Sequence, residues 1–219
     1  MSGGVLQTYK ATGLYAKKKS VRAREQCRAD VVAQRQAFHE KLAGVDRSRL
    51  VFLDETGAKT NMTRLYARAK KGKRALDYTA HGHWSTTTLI AALTLQGAKA
   101  PMVLDGPMDR TCFEAYVAQV LIPALAPGSN VVMDNLAAHK SPDIVQRLHA
   151  AGAQLLYLPP YSPDFNPIEL MWSKIKTALR SAKAHTQEAL LAAIAQALGD
   201  ITPERSYNFF CHLFVCLQN

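Results

Sequence analysis

The spacing of apolar positions changes several times along the chain. From Arg22 to Leu42, Val31, Val32, Phe38 and Leu42 are set among Ala, Glu, Gln and Arg at partial helical spacing, which predicts a helix leading into the main domain. The period then shortens. "RLVFLDE" at 49–55 is a short apolar run suited to a buried strand, and after it come a turn-like "TGAKTN" and a polar strand candidate, "RLYARA". "STTTLIAALTLQG" and "APMVLDGP" read as two more strands, each closed by a turn, so this region is expected to form an antiparallel meander. Helix and strand alternate beyond it: a helix from about Arg110 to Leu125, a strand "NVVMDN" at 130–135, a helix from about Pro142 to Ala151, a strand "QLLYLPP" at 154–160 and a helix over 167–182. Such alternation implies parallel strands joined by helical crossovers. The expected fold class is therefore α/β, a mixed sheet with helices on both faces. A further apolar helix starts at an N-cap Thr186 and ends near Gly199, and the tail "SYNFFCHLFVCLQN" is rich in aromatic residues. The division read from this pattern is a basic linker and helix over 1–45, the α/β domain over 46–183 and a C-terminal helical tail over 184–219.

One helix begins in a way that raises a chemical question. In "LPPYSPDFNPIELMWSKIK", residues 158–176, Asn166 is a favoured N-cap, Pro167 suits the first helical position and Glu169 falls at the third, a capping box with Asn in place of Ser or Thr. Ile168, Met171, Trp172, Ile175 and Leu179 form its apolar face. On these local grounds Glu169 is a cap without chemistry. Two other acids bear on it. Asp54 closes the apolar run "LVFLD" and Asp134 closes "NVVMD", and in open α/β sheets functional groups gather at the carboxyl ends of strands. Either aspartate taken alone is better read as the start of an Asx-turn. If the two strands are adjacent, however, the carboxylates converge, and like charges at that distance need a cation. Glu169 would supply the third ligand. Hard carboxylate oxygens suit Mg²⁺ or Mn²⁺, and a pair of ions would clamp both the attacking and the leaving oxygen of a phosphoryl displacement.

Composition narrows the partner. Of 219 residues, 27 are Lys or Arg and 17 Asp or Glu, a net charge of +10 that favours a polyanion such as nucleic acid, as it would for any basic protein. Hydrophobic residues make up 48% of the chain, enough for a substantial core. Cys27, Cys112, Cys211 and Cys216 show neither metal-ligand spacing nor a disulfide framework, which points to a reducing cytoplasm. No apolar run reaches membrane-spanning length and the first residues lack a signal core, so no membrane partner is expected.

Five blocks carry a resemblance: "VFLDETGAKTNMTRLYARAKKGKRA", "HGHWSTTTLIAAL", "APMVLDGPMD", "VVMDNLAAHKS" and "LLYLPPYSPDFNPIELMWSKIK". Together they resemble bacterial insertion-sequence transposases of the mariner-like superfamily, specifically the insertion sequence six-thirty family, from about Thr12 to Phe210. The 34 residues between Asp134 and Glu169 agree with that family's separation of second aspartate and glutamate. The resemblance implies a ribonuclease H-like fold in which Asp54, Asp134 and Glu169 form the metal-binding DDE triad, with Mg²⁺ or Mn²⁺, two ions, as cofactor. It also implies the reaction: activated water cuts the phosphodiester at a transposon end, and the freed 3′-OH attacks target DNA, commonly at a TA dinucleotide. The implied partners are transposon-end and target DNA and further copies of the chain assembled on DNA, and the implied location is the bacterial nucleoid.

Other residues follow from this reading. Asn135 and His139, beside the second aspartate, are candidates to orient a phosphate or a water, with a turn Asn and a surface His as the plain alternative, and Asn166 would aim Glu169. Glu55 would point to the opposite side of its strand from Asp54. Arg64, Arg68, Lys70, Lys71, Lys73 and Arg74 form a basic block in an expected hairpin, suited to phosphate contacts or to plain solvation, and Lys17, Lys18 and Lys19 would act in the same way from the N-terminal arm. Family members carry an N-terminal helix-turn-helix region that reads the terminal repeats. The chain begins after it, so an upstream helix-turn-helix product from a split reading frame is an expected partner, with a fragment as the alternative. The rival functions are a ribonuclease H-type nuclease, which would need groups sensing the 2′-OH, and an inactive remnant that binds DNA nonspecifically.

Overall fold

Alternation along the central strands divides the core into two layers. The computed structural model describes residues 23–64, 66–78, 86–135 and 141–218, with residues 216–218 described through their backbone only. In β1 (Leu50–Lys59), Leu50, Phe52 and Ala58 turn to one face of the sheet while Val51 and Leu53 turn to the other, as the period of two requires. β2 (Thr86–Thr94) does the same with Leu89, Ala91 and Leu93 against Ile90 and Ala92. With β3 (Gly97–Asp105), β4 (Asn130–Met133) and β5 (Gln154–Tyr157) these strands form one five-stranded sheet of order β3-β2-β1-β4-β5. β1 to β3 are an antiparallel meander, and β1, β4 and β5 run parallel.

Helices cover both faces, as expected. One layer holds α1 (Ala29–Ala43), α4 (Ile168–Ala182), α5 (Gln187–Gly199) and α6 (Pro203–Gln218). The other holds α2, which runs from Arg110–Tyr116 through a π-helical stretch Val117–Leu121 into a last turn Ile122–Ala124, and α3 (Pro142–Ala150). The π stretch lies just before Pro123, whose lack of an amide hydrogen leaves the regular ladder one donor short. Asp109 caps α2 by accepting from the Cys112 amide at 2.7 Å, and Thr186 caps α5 by accepting from the Ala189 amide at 3.2 Å.

Two local expectations are corrected. "TGAKTN" does not turn after Asp54: β1 continues to Lys59, with Thr56 to Lys59 laddered against Thr86 to Leu89 of the long β2. The backbone pairing available there overrides the turn tendency of a Thr-Gly pair. The described part of "RLYARA" forms no strand, and the basic block is no hairpin. Among the described residues it has no ladder partner, Tyr66 is 91% exposed, and the Lys73 amide bonding to the Lys70 carbonyl at 2.9 Å makes a turn.

The aromatic C-terminal segment is helix α6, folded back on the sheet. Phe209, Phe210 and Leu213 are buried in the layer that holds α4, and the Phe210 ring meets Phe52 of β1 edge-on at 5.5 Å. Phe210→Ala is expected to cost about 3–5 kcal/mol, read as a lower urea midpoint at unchanged slope. A cost below about 1 kcal/mol would mean that α6 is not part of the core.

Candidate active site

The β1–β4 register brings the two aspartates together. Leu50 pairs with Asn130, Val51 with Val131 and Phe52 with Val132, and continuing two places sets Asp54 beside Asp134, just past the end of β4. Both share the parity of Phe52 and Val132, so both belong to the face that α4 covers. Glu55 has the opposite parity, as expected. α4 enters over this face by its N-terminus, where Ile168, Met171 and Trp172 are buried and Glu169 is exposed. Asp54, Asp134 and Glu169 thus line one open cleft of about 420 Å³ together with Asn135, Tyr161, Ser162 and Asn166.

The cleft's far wall is the segment from Pro159 to Asn166. Pro159, Pro160 and Pro163 restrict it, Pro163–Phe165 form one 3-10 turn, and Tyr161 is held at φ +55°, an uncommon conformation for a residue with a side chain. The residue is 47% exposed.

Asn166 departs from the expected role. Its side chain makes no cap to α4; the amide instead donates to Asp54 Oδ2 at 3.3 Å, while its own Oδ1 is buried without a hydrogen-bond partner. A cap would need Oδ1 to accept from a free N–H of the helix start, and with the amide nitrogen turned onto the Asp54 carboxylate, Oδ1 accepts nothing. The start of α4 is held by the backbone alone, with the Glu169 amide donating to the Asn166 carbonyl at 3.2 Å. The expected capping box is absent, and Glu169 is free of that duty.

Electrostatics single out Asp54. Burial, and then the negative charges of Glu169, Asp134 and Glu55, push its carboxyl up from 3.8 to about 7, against the pull of the Glu55 amide that donates to its Oδ1 at 2.8 Å. Near neutrality Asp54 is therefore about half-protonated. Among the described residues no group of three His, Cys, Asp or Glu is drawn tightly enough to enclose a metal as it stands, so the carboxylates form an open cradle. Their chemistry fits a hard divalent ion: all donors are oxygen, and the most buried one is paired only with neutral donors and is surrounded by acids.

The remaining candidates are scattered. Asn135 is exposed on the cleft rim. His139 and Lys17, Lys18 and Lys19 lie outside the described residues. Arg64, Arg68, Lys70, Lys71, Lys73 and Arg74 are exposed, and their loop is rooted at the opposite end of α4 from Glu169: Arg64 donates to Ser181 Oγ at 2.8 Å, and Lys183 pairs with Asp77 at 2.6 Å. Ser181 follows Glu169 by 12 residues, about 18 Å of helix. Among the described residues, no helix is long and apolar enough to cross a membrane. Residues that local sequence reading did not single out include Tyr161 and Ser162 in the cleft, and Arg35, which bonds to Ser162 and Asp164 of its wall.

Comparison with known proteins bears on the family and the fold. Residues 49–191 match the family model described as DDE superfamily endonuclease. No curated protein matches the chain. Among solved structures, the Mos1 transposase paired-end complex with left transposon end is similar at 15% identity and a TM-score of 0.77, over 98% of this chain and 68% of that one. The mariner Mos1 paired end complex with Mg is similar at 16% identity and a TM-score of 0.75, over 98% and 68%. The catalytic domain of Mos1 mariner transposase is similar at 14% identity and a TM-score of 0.68, over 91% and 95%. At such identities the likeness establishes the fold, the ribonuclease H-like one anticipated from the sequence.

Proposed function

Since the chain belongs to the DDE superfamily endonuclease family, we propose that it is the catalytic part of a transposase that cuts DNA at transposon ends and joins the freed 3′-OH to target DNA. The observation that carries this reading is the meeting of Asp54, Asp134 and Glu169, far apart in sequence, in one cleft at the ends of two adjacent parallel strands. "VVMDNLAAHK" and "LPPYSPDFNPIE", with 34 residues between the second aspartate and the glutamate, support placing it in the insertion sequence six-thirty branch. Residues 46–183 carry the chemistry, 1–45 act as basic linker and helix, and 184–219 as a helical tail.

Each side chain has a task. Asp54, Asp134 and Glu169 hold Mg²⁺ or Mn²⁺, two ions in the full site. When bound, these ions supply the Lewis acidity that activates the attacking oxygen and offsets charge on the leaving one. The Glu55 amide and the Asn166 side chain fix the two oxygens of Asp54, so the carboxylate is oriented before DNA arrives. Asn135 on the rim donates to a non-bridging phosphate oxygen, and His139 lies four residues further on. The proline-restricted wall limits how far the scissile strand can shift, and no covalent intermediate with the protein is needed.

The basic loop binds the duplex away from the cut. Its root lies about 18 Å along α4 from Glu169, roughly five base pairs at 3.4 Å each, so Lys70, Lys71, Lys73 and Arg74 contact flanking phosphates. Replacing all four by Ala is expected to flatten the slope of log affinity against log salt by up to about 3.6, or about 0.9 for each phosphate that is no longer neutralised, measured by fluorescence anisotropy with duplex DNA. An unchanged slope would leave this loop merely solvated. Lys17, Lys18 and Lys19 add phosphate contacts from the arm. The working form is a homo-oligomer on DNA in the bacterial cytoplasm, joined by an upstream helix-turn-helix product that reads the terminal repeats.

The test of the function is strand nicking of duplex DNA carrying the element's own ends, with Mg²⁺ or Mn²⁺ against chelator, with and without the upstream product. Metal-dependent nicking at the end boundary supports the proposal. Tight DNA binding without nicking under any of these conditions would make the chain a nonspecific DNA-binding remnant. Cleavage confined to RNA–DNA hybrids would make it a ribonuclease H-type enzyme.

A further inference from the structure

Helix α1 lies outside the segment matched by the family model, yet it reaches the wall of the cleft. Arg35 forks onto Asp164, Nη1 to Oδ1 at 3.0 Å and Nη2 to Oδ2 at 2.7 Å, and its Nη1 also donates to Ser162 Oγ at 2.8 Å. The same guanidinium lies 3.9 Å from the centroid of the Phe165 ring, which stacks in turn on Phe38 of α1 at 6.0 Å. Upstream, Gln26 Nε2 donates to the Tyr161 carbonyl at 2.6 Å. The Arg35 and Asp164 side chains are only 16% and 23% exposed, so this is no loose surface pair. The N-terminal region thus grips Tyr161, Ser162, Asp164 and Phe165, and the next residue is Asn166, whose amide holds Asp54. Glu169 follows within one turn of α4.

These contacts have a direction. The wall contains a strained residue, Tyr161, and the start of α4 has no side-chain cap to fix it. The buried face of α4 sets the rotation of Glu169, but no cap fixes the lead-in through Asn166, and a bidentate fork with a stacked ring is suited to hold that lead-in. We propose that Arg35 is a positioning residue for the carboxylate cradle: through Ser162, Asp164 and Phe165 it holds the wall so that Asn166 and Glu169 face Asp54 and Asp134. The inference rests on the proposed function for the identity of the ion, and it makes α1 a component of the active site. Whatever moves α1 then acts directly on the cradle.

The test uses the whole chain with Mn²⁺ alone as first probe and duplex nicking as second. Arg35→Ala is expected to weaken Mn²⁺ binding by roughly 10- to 100-fold in calorimetry and to shift the Mn²⁺ dependence of nicking by a similar factor, with metal-free DNA affinity unchanged. Arg35→Lys, which keeps charge but not the fork, should recover little, and the exchanged pair Arg35→Asp with Asp164→Arg should recover much of the loss. A purely structural role would lower the melting temperature alike in these variants without this pattern of rescue. Should Arg35→Ala fail to melt cooperatively, Asp164→Asn, of the same shape, carries the test with the same expected direction. Mn²⁺ affinity within about twofold of wild type in a folded variant would overturn the proposal. The two readings separate: weakened Mn²⁺ binding in the variants with no nicking by the wild type would uphold the brace and count against transposase activity, whereas equal nicking and Mn²⁺ binding by wild type and variant would do the reverse.

Discussion

Asp134→Asn and Glu169→Gln are each expected to lower metal-dependent nicking by about 10³-fold or more while leaving the chain folded. Each change keeps the size and most of the hydrogen-bonding capacity of the side chain and removes one negative charge. That charge matters to a divalent ion and hardly at all to packing, since Glu169 is exposed and Asp134 half-buried. Losing a single preorganised neutral donor from an active site costs about 10²–10³ in rate, and losing an anionic ligand should cost at least the upper figure. Two controls accompany the rate. DNA affinity without metal should hold or tighten, because either change removes a charge that would repel a phosphate from the cleft, and the melting temperature should not fall. If Glu169→Gln nicked like wild type while Asp134→Asn did not, Glu169 would return to being an acid placed in the first turn of a helix. Equal activity in both variants would remove the cradle from the mechanism altogether.

Much of this cradle was legible in the sequence. Apolar runs ending in aspartate read as strands because β1 and β4 are buried on both faces and so carry uninterrupted Leu, Val and Phe. Helices α3, α4 and α5 were placed because each has a strong local signal: Pro142 in the first turn, the apolar face from Ile168 to Leu179, and the Thr186 cap. What failed was local chemistry overruled by distant partners. "TGAKTN" has turn composition but meets β2 across a ladder that no local window contains. Asn166 has every feature of a cap and gives its amide to a carboxylate 112 positions away. Arg35, in a run of Ala, Gln and Arg, has nothing to distinguish it from a solvated helix residue; its meaning lies in Asp164, 129 positions on. Two of these misses, Asn166 and Arg35, bear on the cleft and its wall, as expected where local preference is traded for a site.

Asp54→Asn should do the opposite to stability and activity. In metal-free buffer at about pH 8 it is expected to raise the melting temperature by roughly 5–10 °C, from about 2–4 kcal/mol of added stability, while abolishing nicking. The sign follows from the carboxyl's shift from 3.8 to about 7, caused first by burial and then by Glu169 and Asp134. Between those values the native state holds a proton that the unfolded chain has released, so wild-type stability falls as pH rises from about 4 to 7 and levels off above. The amide carries no charge to desolvate or to repel its neighbours. It can still accept from the Glu55 amide, and a turn of the Asn166 amide would let the partnerless Oδ1 accept its new N–H. The gap between variant and wild type should therefore open across that pH window and close near about pH 4. Mn²⁺ at about pH 8 should reverse the order, because an ion held by three carboxylates in the native state stabilises the wild type by mass action and the variant far less. Parallel pH profiles would mean that Asp54 is not under strain, and equal stabilisation of both proteins by Mn²⁺ would mean that the ion binds elsewhere. On the proposed function, a carboxylate that weakens the fold until a cation arrives is the cost of the metal site, and this pair of melting curves measures that cost without any DNA.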